Sequence, residues 1–564
     1  MVLILLSWLY IFVTAASLGI SFSKLLGIPM RNITITTVLG LFAVTLLASL
    51  WAIFGPISLG FTVFLTTISL ISSYYFRVDW QLLWKTSVKS LSDFSLPLKS
   101  LFTLSSFLIL AQSATAPFIV DNETYYIQTI KWLNEYGLVP GLANLHLFFG
   151  QTSGWHIAQS AYSVSFLYDN FNDLNGFLLL LLNFWAFERL HSYSASQNKI
   201  DLAFGLLPLS YVFLFQFVNA PSPDLAVYAI AFLAFFIYTS DENATEKLKL
   251  LSTLLLFAVY IKITAVVLLL LLIIVWVKHF KQINNQLIAI RLLGGLVLFL
   301  FVIKNSILTG YPLYPLTFLP YSDADYMVPK EILSYFFSKD MMHSFYLPYG
   351  TFEQASLPDI LKHYFWLNGM DSLIGITTII LLIIAPFILK KQYPKQGLGD
   401  IYWVFVLLLV LLILSSPQYR FYVYFTIFFG LLVLAVLFSK EKIILSLLGL
   451  SCLGCAVLLW VPISFGSLTN NTMLMQNNTF DAENIIFPKP NSKSNNAYTA
   501  ETKGNLNYNS PQNTELFWIT GNGSLPTVSK EQLDYFHTYF HVIPQRRGLT
   551  LSEGFKAQKV KQHD

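Results

Sequence analysis

Charge is what this chain has least of. Asp, Glu, Lys and Arg together make up 11% of its 564 residues, while 55% are hydrophobic. A water-soluble fold could not hide that much apolar surface in one core, so that class is excluded and a lipid bilayer is the implied solvent. Cysteine is nearly missing as well. Cys452 and Cys455 stand three apart in an apolar run, where they read as small core residues on one helix face and not as a metal pair. The formal charge is only +4 and the basic residues are scattered, which excludes nucleic acid as a partner. The first apolar run, "VLILLSWLYIFVTAASLGI", lacks a basic leading region and a small-residue cleavage site, so it is expected to be a retained span and not a signal peptide.

What is present is a succession of apolar runs of about 16 to 22 residues, long enough to cross a hydrocarbon core of roughly 30 Å as helices. Fourteen spans are expected, near 2–20, 33–54, 56–76, 99–117, 173–190, 201–218, 224–240, 249–261, 263–277, 286–303, 371–389, 400–415, 420–438 and 443–463. The fold class is therefore an all-α polytopic membrane protein of about 14 transmembrane helices. One set of short loops carries Lys24 and Arg31; Arg77, Lys85 and Lys89; Lys247 and Lys249; Lys278 and Lys281; Lys390, Lys391 and Lys395; and Lys440 and Lys442. This is the positive-inside signature, and it puts those loops in the cytoplasm. The parity rests on the run from Lys249 to Val277, which is too long for one ordinary span and is read as a hairpin turning at Lys262.

The alternate loops hold the polar chemistry. In "FIVDNETYYIQTIKWLNEYGLVPGLANLH", residues 122–136 place Tyr126, Ile130 and Leu133 at helical spacing beside Tyr125, Thr129 and Trp132, as expected of a helix lying flat in the membrane interface. The segment 153–168 is expected to be a second such helix, and 316–370 an interfacial lid. From Gly466 the composition turns to Asn, Ser, Thr and Pro, with a strand-like "ELFWIT" and an amphipathic "SKEQLDYFHTYF", the marks of a small extramembrane region. Residues 1–98, 99–463 and 464–564 thus separate as N-terminal helices, a transmembrane core with outer loops 118–172 and 304–370, and a C-terminal region outside the membrane.

Five ionisable residues of that outer set stand at helix ends. Asp121 follows apolar residues directly, and Asp224 lies in "SPD", where Ser222 can cap, Pro223 fits the first turn and the carboxylate favours the positive helix end. Lys262, Lys304 and Arg420 sit at outer ends against the positive-inside bias. Each of the five has a bland explanation, capping for the acids and snorkelling for the bases. Their shared side suggests more: the cations could hold a membrane-embedded phosphate while a carboxylate takes a proton from an incoming hydroxyl.

These stretches, with "YIKIT" at 260–264, "KNSILTGYPLYP" at 304–315 and "SPQYRF" at 416–421, resemble the GT-C superfamily of membrane glycosyltransferases that use polyprenyl-phosphate sugars, and in particular a bacterial multi-spanning branch of it. The resemblance covers roughly 99–463. It implies that Asp121 is the catalytic base or orients the acceptor, with Asp224 a second outer acid, and that Lys262, Lys304 and Arg420, with Asn305, bind the donor phosphate. Glu123, Tyr125, Trp132 and His156 would shape the sugar and acceptor pocket. Asn122 separates Asp121 from Glu123 where many members have adjacent acids. The resemblance further implies a polyprenyl-phosphate sugar donor, a glycan, lipid or protein acceptor, and a multi-pass location in the bacterial cytoplasmic membrane. A divalent cation, Mg or Mn, shared by Asp121 and Asp224 is the minority alternative, since no His-rich spacing accompanies them. A transporter or flippase of lipid-linked saccharide and a surface-polysaccharide polymerase or ligase are the rival functions. A transporter would be expected to place its ionisable groups near the bilayer midplane, where this chain has almost none.

Overall fold

The computed structural model describes the chain except residues 31, 284–286, 322–323, 348–350, 352–353, 368, 395–396, 471–474, 495, 513–516 and 561–564. Arg31 and Lys395, expected in the basic loops, lie outside the described residues, as does part of the expected lid at 316–370. The protein is mostly helical. The first half contains α1 (Val2–Leu26), α2 (Ile33–Phe54), α3 (Leu59–Tyr75), α4 (Arg77–Asp93), α5 (Leu96–Ser113), α6 (Ile127–Glu135), α7 (Gly154–Tyr162), α8 (Leu174–Ser196), α9 (Lys199–Gly205), α10 (Tyr211–Leu214) and α11 (Pro223–Thr239). The second half continues with α12 (Ala244–Ile261), α13 (Leu269–Ile283), α14 (Ile288–Thr309), α15 (Lys330–Ser344), α16 (Leu357–Phe365), α17 (Gly369–Gln392), α18 (Leu398–Ile413), α19 (Val423–Leu437), α20 (Glu441–Trp460) and α21 (Lys530–Phe540).

Each expected span falls on helix, but the lengths differ from the expectation. Among the described residues seven helical segments are long and apolar enough to cross a membrane, and an eighth is reached if α3 and α4, bent by 85°, count as one. The shorter apolar helices at Pro223–Thr239, Ile263–His279, Leu398–Ile413 and Val423–Leu437 fall below that length. The expected span 201–218 is broken into α9, 3-10 turns and α10, because Pro208 removes a backbone donor within it. Many outward residues of these helices are bare apolar groups, among them Leu6, Leu298, Phe387, Trp403 and Leu450. So much exposed hydrocarbon is intelligible against lipid and costly against water.

Close contacts hold the N-terminal helices to each other and to the polar loop. A Cβ on Gly40 would lie 1.6 Å from the Ala15 carbonyl oxygen, so α1 and α2 touch backbone to backbone, the small-residue contact common between membrane helices. At its far end α2 supports the polar loop: Leu138 N–H donates to the Ala52 carbonyl at 2.7 Å, and Asn134 Nδ2 to the Ile57 carbonyl at 2.6 Å.

The run 249–277 is a hairpin, as its length implied: α12 ends at Ile261, Lys262 is extended, and a 3-10 turn at Ile263–Leu268 leads back into α13. Lys278 of α13 bonds Asp400 at 2.8 Å, and Asp400 also accepts from Tyr238, whose carbonyl receives Lys247 at 3.1 Å. Lys24 bonds Asp79 at 3.0 Å and Lys249 reaches the Gly27 carbonyl at 3.3 Å. Lys24, Lys247, Lys249 and Lys278 therefore gather at one pole, and the turn at Lys262, at the far end of α12, stands at the other. The segment 77–98, read as a loop, contains the helix α4 instead.

The C-terminal region is not all-α. Strands β1 (Tyr498–Lys503) and β2 (Leu506–Pro511) form one antiparallel hairpin, and β3 (Val542–Arg546) with β4 (Phe555–Lys559) form another, with α21 between them as its amphipathic pattern predicts. The strand expected at "ELFWIT" is not formed: Phe517–Thr520 are turn and coil, because Trp518 packs on His146 and Thr520 turns its N–H to the Glu123 carbonyl at 2.9 Å. The region docks on the loop after α5. Gly554, at φ 92°, meets Pro140 so closely that a Cβ would stand 2.0 Å from its carbonyl oxygen, and only glycine takes both the conformation and the contact without strain.

Glu123 belongs to this dock and not to a substrate pocket. Its carboxylate is buried and accepts from Ser492 Oγ at 2.7 Å, Lys493 N–H at 3.0 Å and Asn122 Nδ2 at 3.1 Å. Glu123→Ala should strand those donors at about 1–3 kcal/mol. Limited proteolysis is expected to cut the C-terminal region faster in the variant; an unchanged cleavage rate would refute the docking role.

Candidate functional site

A π-helical turn over Asn122–Tyr126 leads into α6. Such five-residue turns recur at functional sites because the wider turn shifts side chains that an α-helix would place elsewhere. Here it brings the Tyr126 hydroxyl to Asp121 Oδ2, to which it donates at 3.3 Å. Across from it, a 3-10 turn at Tyr419–Phe421 presents Arg420. The Tyr228 hydroxyl pins that turn by donating to the Arg420 carbonyl, and Gln418 Oε1 accepts from Arg420 Nε at 2.7 Å.

Four charges from four separate segments then meet. Arg420 Nη1 donates to Asp121 Oδ2 and lies 4.0 Å from Asp224 Oδ2, while Lys262 Nζ donates to Asp224 Oδ1. Asp224 is only 2% exposed; Ser222 Oγ caps its helix by accepting from the Asp224 N–H at 3.3 Å, as "SPD" suggested. Asp224 Oδ2 has no hydrogen-bond donor among the described residues. Phe421 forms the floor, with Lys262 Nζ 4.1 Å and the Arg420 guanidinium carbon 5.4 Å from its ring centre, so two cations approach one aromatic ring.

Tyr125 and His156 stand against this cluster. The His156 ring lies 4.8 Å from that of Tyr126 and 5.8 Å from that of Tyr125. His156 closes a capping box at the start of α7: its Nδ1 accepts from the Ser153 N–H at 3.3 Å, and its Nε2 is buried with no partner among the described residues. Lys304 donates to the carbonyl of Thr152, the residue before Ser153, and among the described residues makes no ion pair with the four-charge cluster.

The other expected site residues lie elsewhere. Trp132 packs its ring 5.7 Å from Phe555 and 5.4 Å from Tyr136, in the dock of the C-terminal region. Asn305 Nδ2 donates to the Tyr314 carbonyl at 3.2 Å and the Pro312 carbonyl at 3.4 Å, so it shapes the "GYPLYP" turn. Conversely Tyr126, read from the sequence only as part of an interfacial helix, belongs to the site, as do Tyr228 and Phe421. Phe421 could have been singled out, as the residue after Arg420 in "SPQYRF". Cys452 and Cys455 are buried free thiols.

The two carboxylates do not make a metal site as they stand. Each is neutralised by a basic side chain, and no group of three or more His, Cys, Asp or Glu suited to a metal occurs among the described residues. A divalent ion would have to displace Arg420 and Lys262, so the Mg or Mn alternative does not fit this donor set.

Burial pushes the Asp121 carboxyl up, and the Arg420 guanidinium, aided by Lys262 and the Tyr126 hydroxyl, outweighs it and holds it below the usual Asp range. A carboxyl depressed in the folded state stabilises the fold above the ordinary Asp range and loses that contribution only as pH falls through the depressed value. The histidines act at milder acidity. Burial pulls His156 down to about 3 and His146 to about 4, from an ordinary 6.5. Between 6.5 and those values the unfolded chain binds protons that the folded chain refuses, so stability falls as pH is lowered through that window. Melting in detergent should therefore drop from pH 6.5 toward pH 4, with a shallower slope in His156→Gln. Parallel slopes would refute the contribution of His156.

Fold and site together define a helical protein with several membrane-length apolar helices and a partly buried cluster of opposite charges assembled from distant segments. The chain belongs to the family described as "Domain of unknown function (DUF8201)", whose model matches residues 1–428. No curated protein and no solved structure matches it. The match begins at residue 1 and includes Asp121, Asp224, Lys262 and Arg420, so α1 to α4 lie within the family unit and the C-terminal region lies beyond it.

Proposed function

We propose that this protein is a GT-C-like membrane glycosyltransferase. Its fourteen helical segments cross the bacterial cytoplasmic membrane, with the basic pole inside and the C-terminal region outside. At the outer face it moves a sugar from a polyprenyl-phosphate donor to a glycan, lipid or protein acceptor for the cell envelope. The observation that carries this reading is the convergence of Asp121, Arg420, Asp224 and Lys262 from four separate segments.

The arrangement supports a division of labour. Lys304 and Arg420 attract the donor phosphate and stabilise the charge that develops on it as the sugar leaves. Arg420 can fork to a phosphate as well as to a carboxylate. When it turns to phosphate, Asp121 loses its strongest counter-charge and its basicity rises, which suits it to take the acceptor's hydroxyl proton at that moment. Lys262 stays with Asp224, which fixes the floor of the site. Tyr125 and His156 line the approach.

The transporter reading has less support, because these charges sit at helix ends and turns and not at mid-helix. The test is lipid selectivity. The full chain in nanodiscs, examined by native mass spectrometry, should retain a polyprenyl phosphate well above the matching polyprenyl alcohol. Equal retention would remove the phosphate site and this reading with it.

A further inference from the structure

The C-terminal region exposes a strip of hydrocarbon. Ile485, Ile486 and Phe487 are 51%, 53% and 56% exposed, three large apolar side chains in a row at the end of a 3-10 turn over Ala482–Ile485. Single exposed apolar residues are ordinary on a protein surface, whereas a consecutive run of them facing water is costly.

The place of the strip decides what it meets. Its segment crosses the ends of three helices. The Phe480 N–H donates to the Leu459 carbonyl of α20 at 2.9 Å, and Asn484 Nδ2 and the Lys489 N–H donate to the Ala114 carbonyl at the end of α5, at 3.0 and 2.9 Å. In the first turn of α1 the Leu3 N–H donates to the Ile486 carbonyl at 3.3 Å. The same helix ends bear exposed apolar groups of their own: Trp460 and Val461 at the end of α20, and Val2, Leu5 and Leu6 at the start of α1. The strip therefore continues the lipid-facing surface of these helices. Trp460, whose ring lies 6.5 Å from that of Phe480, is the residue type that marks a membrane–water boundary.

Entry into lipid requires that nearby polar groups be satisfied within the protein. The Ile486 and Phe487 N–H groups both bond the Glu483 carbonyl, at 3.3 and 3.2 Å, and Pro488 and Pro490 bring no N–H. Asp481 and Asn484 close a capping box at the start of the turn. Lys489 pairs with Asp481 at 2.7 Å and with Glu483 at 3.3 Å, so the charges beside the strip offset one another.

We propose that Ile485, Ile486 and Phe487 insert at the boundary between lipid headgroups and acyl chains and anchor the C-terminal region to the bilayer. Residues 464–564, expected wholly outside the membrane, then touch it at this strip. The anchor also reaches the charged site. Just beyond it the Asn491 carbonyl accepts from Asn122 Nδ2 at 2.9 Å, and Ser492 and the Lys493 N–H hold Glu123, so the strip is tied to the π-turn that follows Asp121.

The test uses the full chain in nanodiscs of phosphatidylcholine and phosphatidylglycerol, with Cys452→Ala and Cys455→Ala removing the native thiols. A nitroxide is attached at Ile486→Cys, at Glu483→Cys as the water-facing control and at Leu6→Cys as the lipid-facing one. Power-saturation EPR compares access to oxygen, which concentrates in hydrocarbon, with access to a nickel chelate, which stays in water. The oxygen-to-chelate ratio for Ile486→Cys should be severalfold above that for Glu483→Cys and approach that for Leu6→Cys. Equal ratios for Ile486→Cys and Glu483→Cys overturn the anchor. Low access to both reagents for Ile486→Cys overturns it too, since protein and not lipid would then cover the strip, and a dipolar coupling between the labels of two copies would assign that cover to a second copy. A water-like ratio for Leu6→Cys would sink the membrane-spanning assignment of α1, and the anchor with it.

Discussion

Arg420→Met should be the most damaging single change to this fold. Among the described residues Arg420 is the one side chain that touches both halves of the acidic pair, bonding Asp121 and standing 4.0 Å from Asp224 Oδ2. Without it Asp224 keeps Lys262, but among the described residues the Tyr126 hydroxyl is then the one hydrogen-bond donor to the Asp121 carboxylate, with Lys262 acting on it at longer range. Removing one partner of a buried ion pair typically costs about 3–5 kcal/mol, because the remaining charge is left unsolvated. The partial exposure of Arg420 and Asp121, 31% and 24%, places this variant toward the lower end. Thermal melting in detergent should show a large drop for Arg420→Met. The double variant with Asp121→Asn should recover much of it, since the stranded charge is gone. A single variant as stable as the wild type would mean that the cluster is not a coupled unit.

Asp121→Asn should leave a folded protein that transfers no sugar. Asparagine fills the same volume and can still meet Tyr126 and Arg420, so the loss of structure is small beside the loss of chemistry. Removing a general base slows catalysis by about 10²–10⁴-fold. Radiolabelled sugar transfer from a polyprenyl-phosphate donor in proteoliposomes reads the rate, and retention of the polyprenyl phosphate shows that the site is still built. Turnover at the wild-type rate would remove Asp121 from the mechanism. Weakened retention with an unchanged rate constant at saturation would reassign it to binding.

The two variants probe different links of one argument. Arg420 tests whether opposite charges from distant segments act together, and Asp121 tests whether that union does chemistry. Glu123 shows why proximity in sequence misleads here. Two residues from Asp121, and polar like it, it was grouped with the pocket, yet the π-turn sends it to the opposite side, where Ser492 and the Lys493 N–H receive it. Trp132 and Asn305 follow the same pattern: each stands beside chemistry-bearing residues in sequence and is spent on packing or a turn in the fold.

Some of this protein was determined by sequence alone. Hydrophobic runs fix where helices can exist, since any backbone in lipid must satisfy its own hydrogen bonds, and the basic loops share one pole because one face of the membrane favours them. The hairpin at Lys262 followed from length, and α21 from its period. Tertiary structure alone decided which cations meet which acids, because Arg420 lies 299 positions from Asp121 in the chain and no local pattern encodes a contact at that range. It also decided the hairpins β1–β2 and β3–β4. Local propensity sets what a segment can be, and only the packing of separate segments sets which side chains share a space small enough for charge and hydrogen bonding to matter.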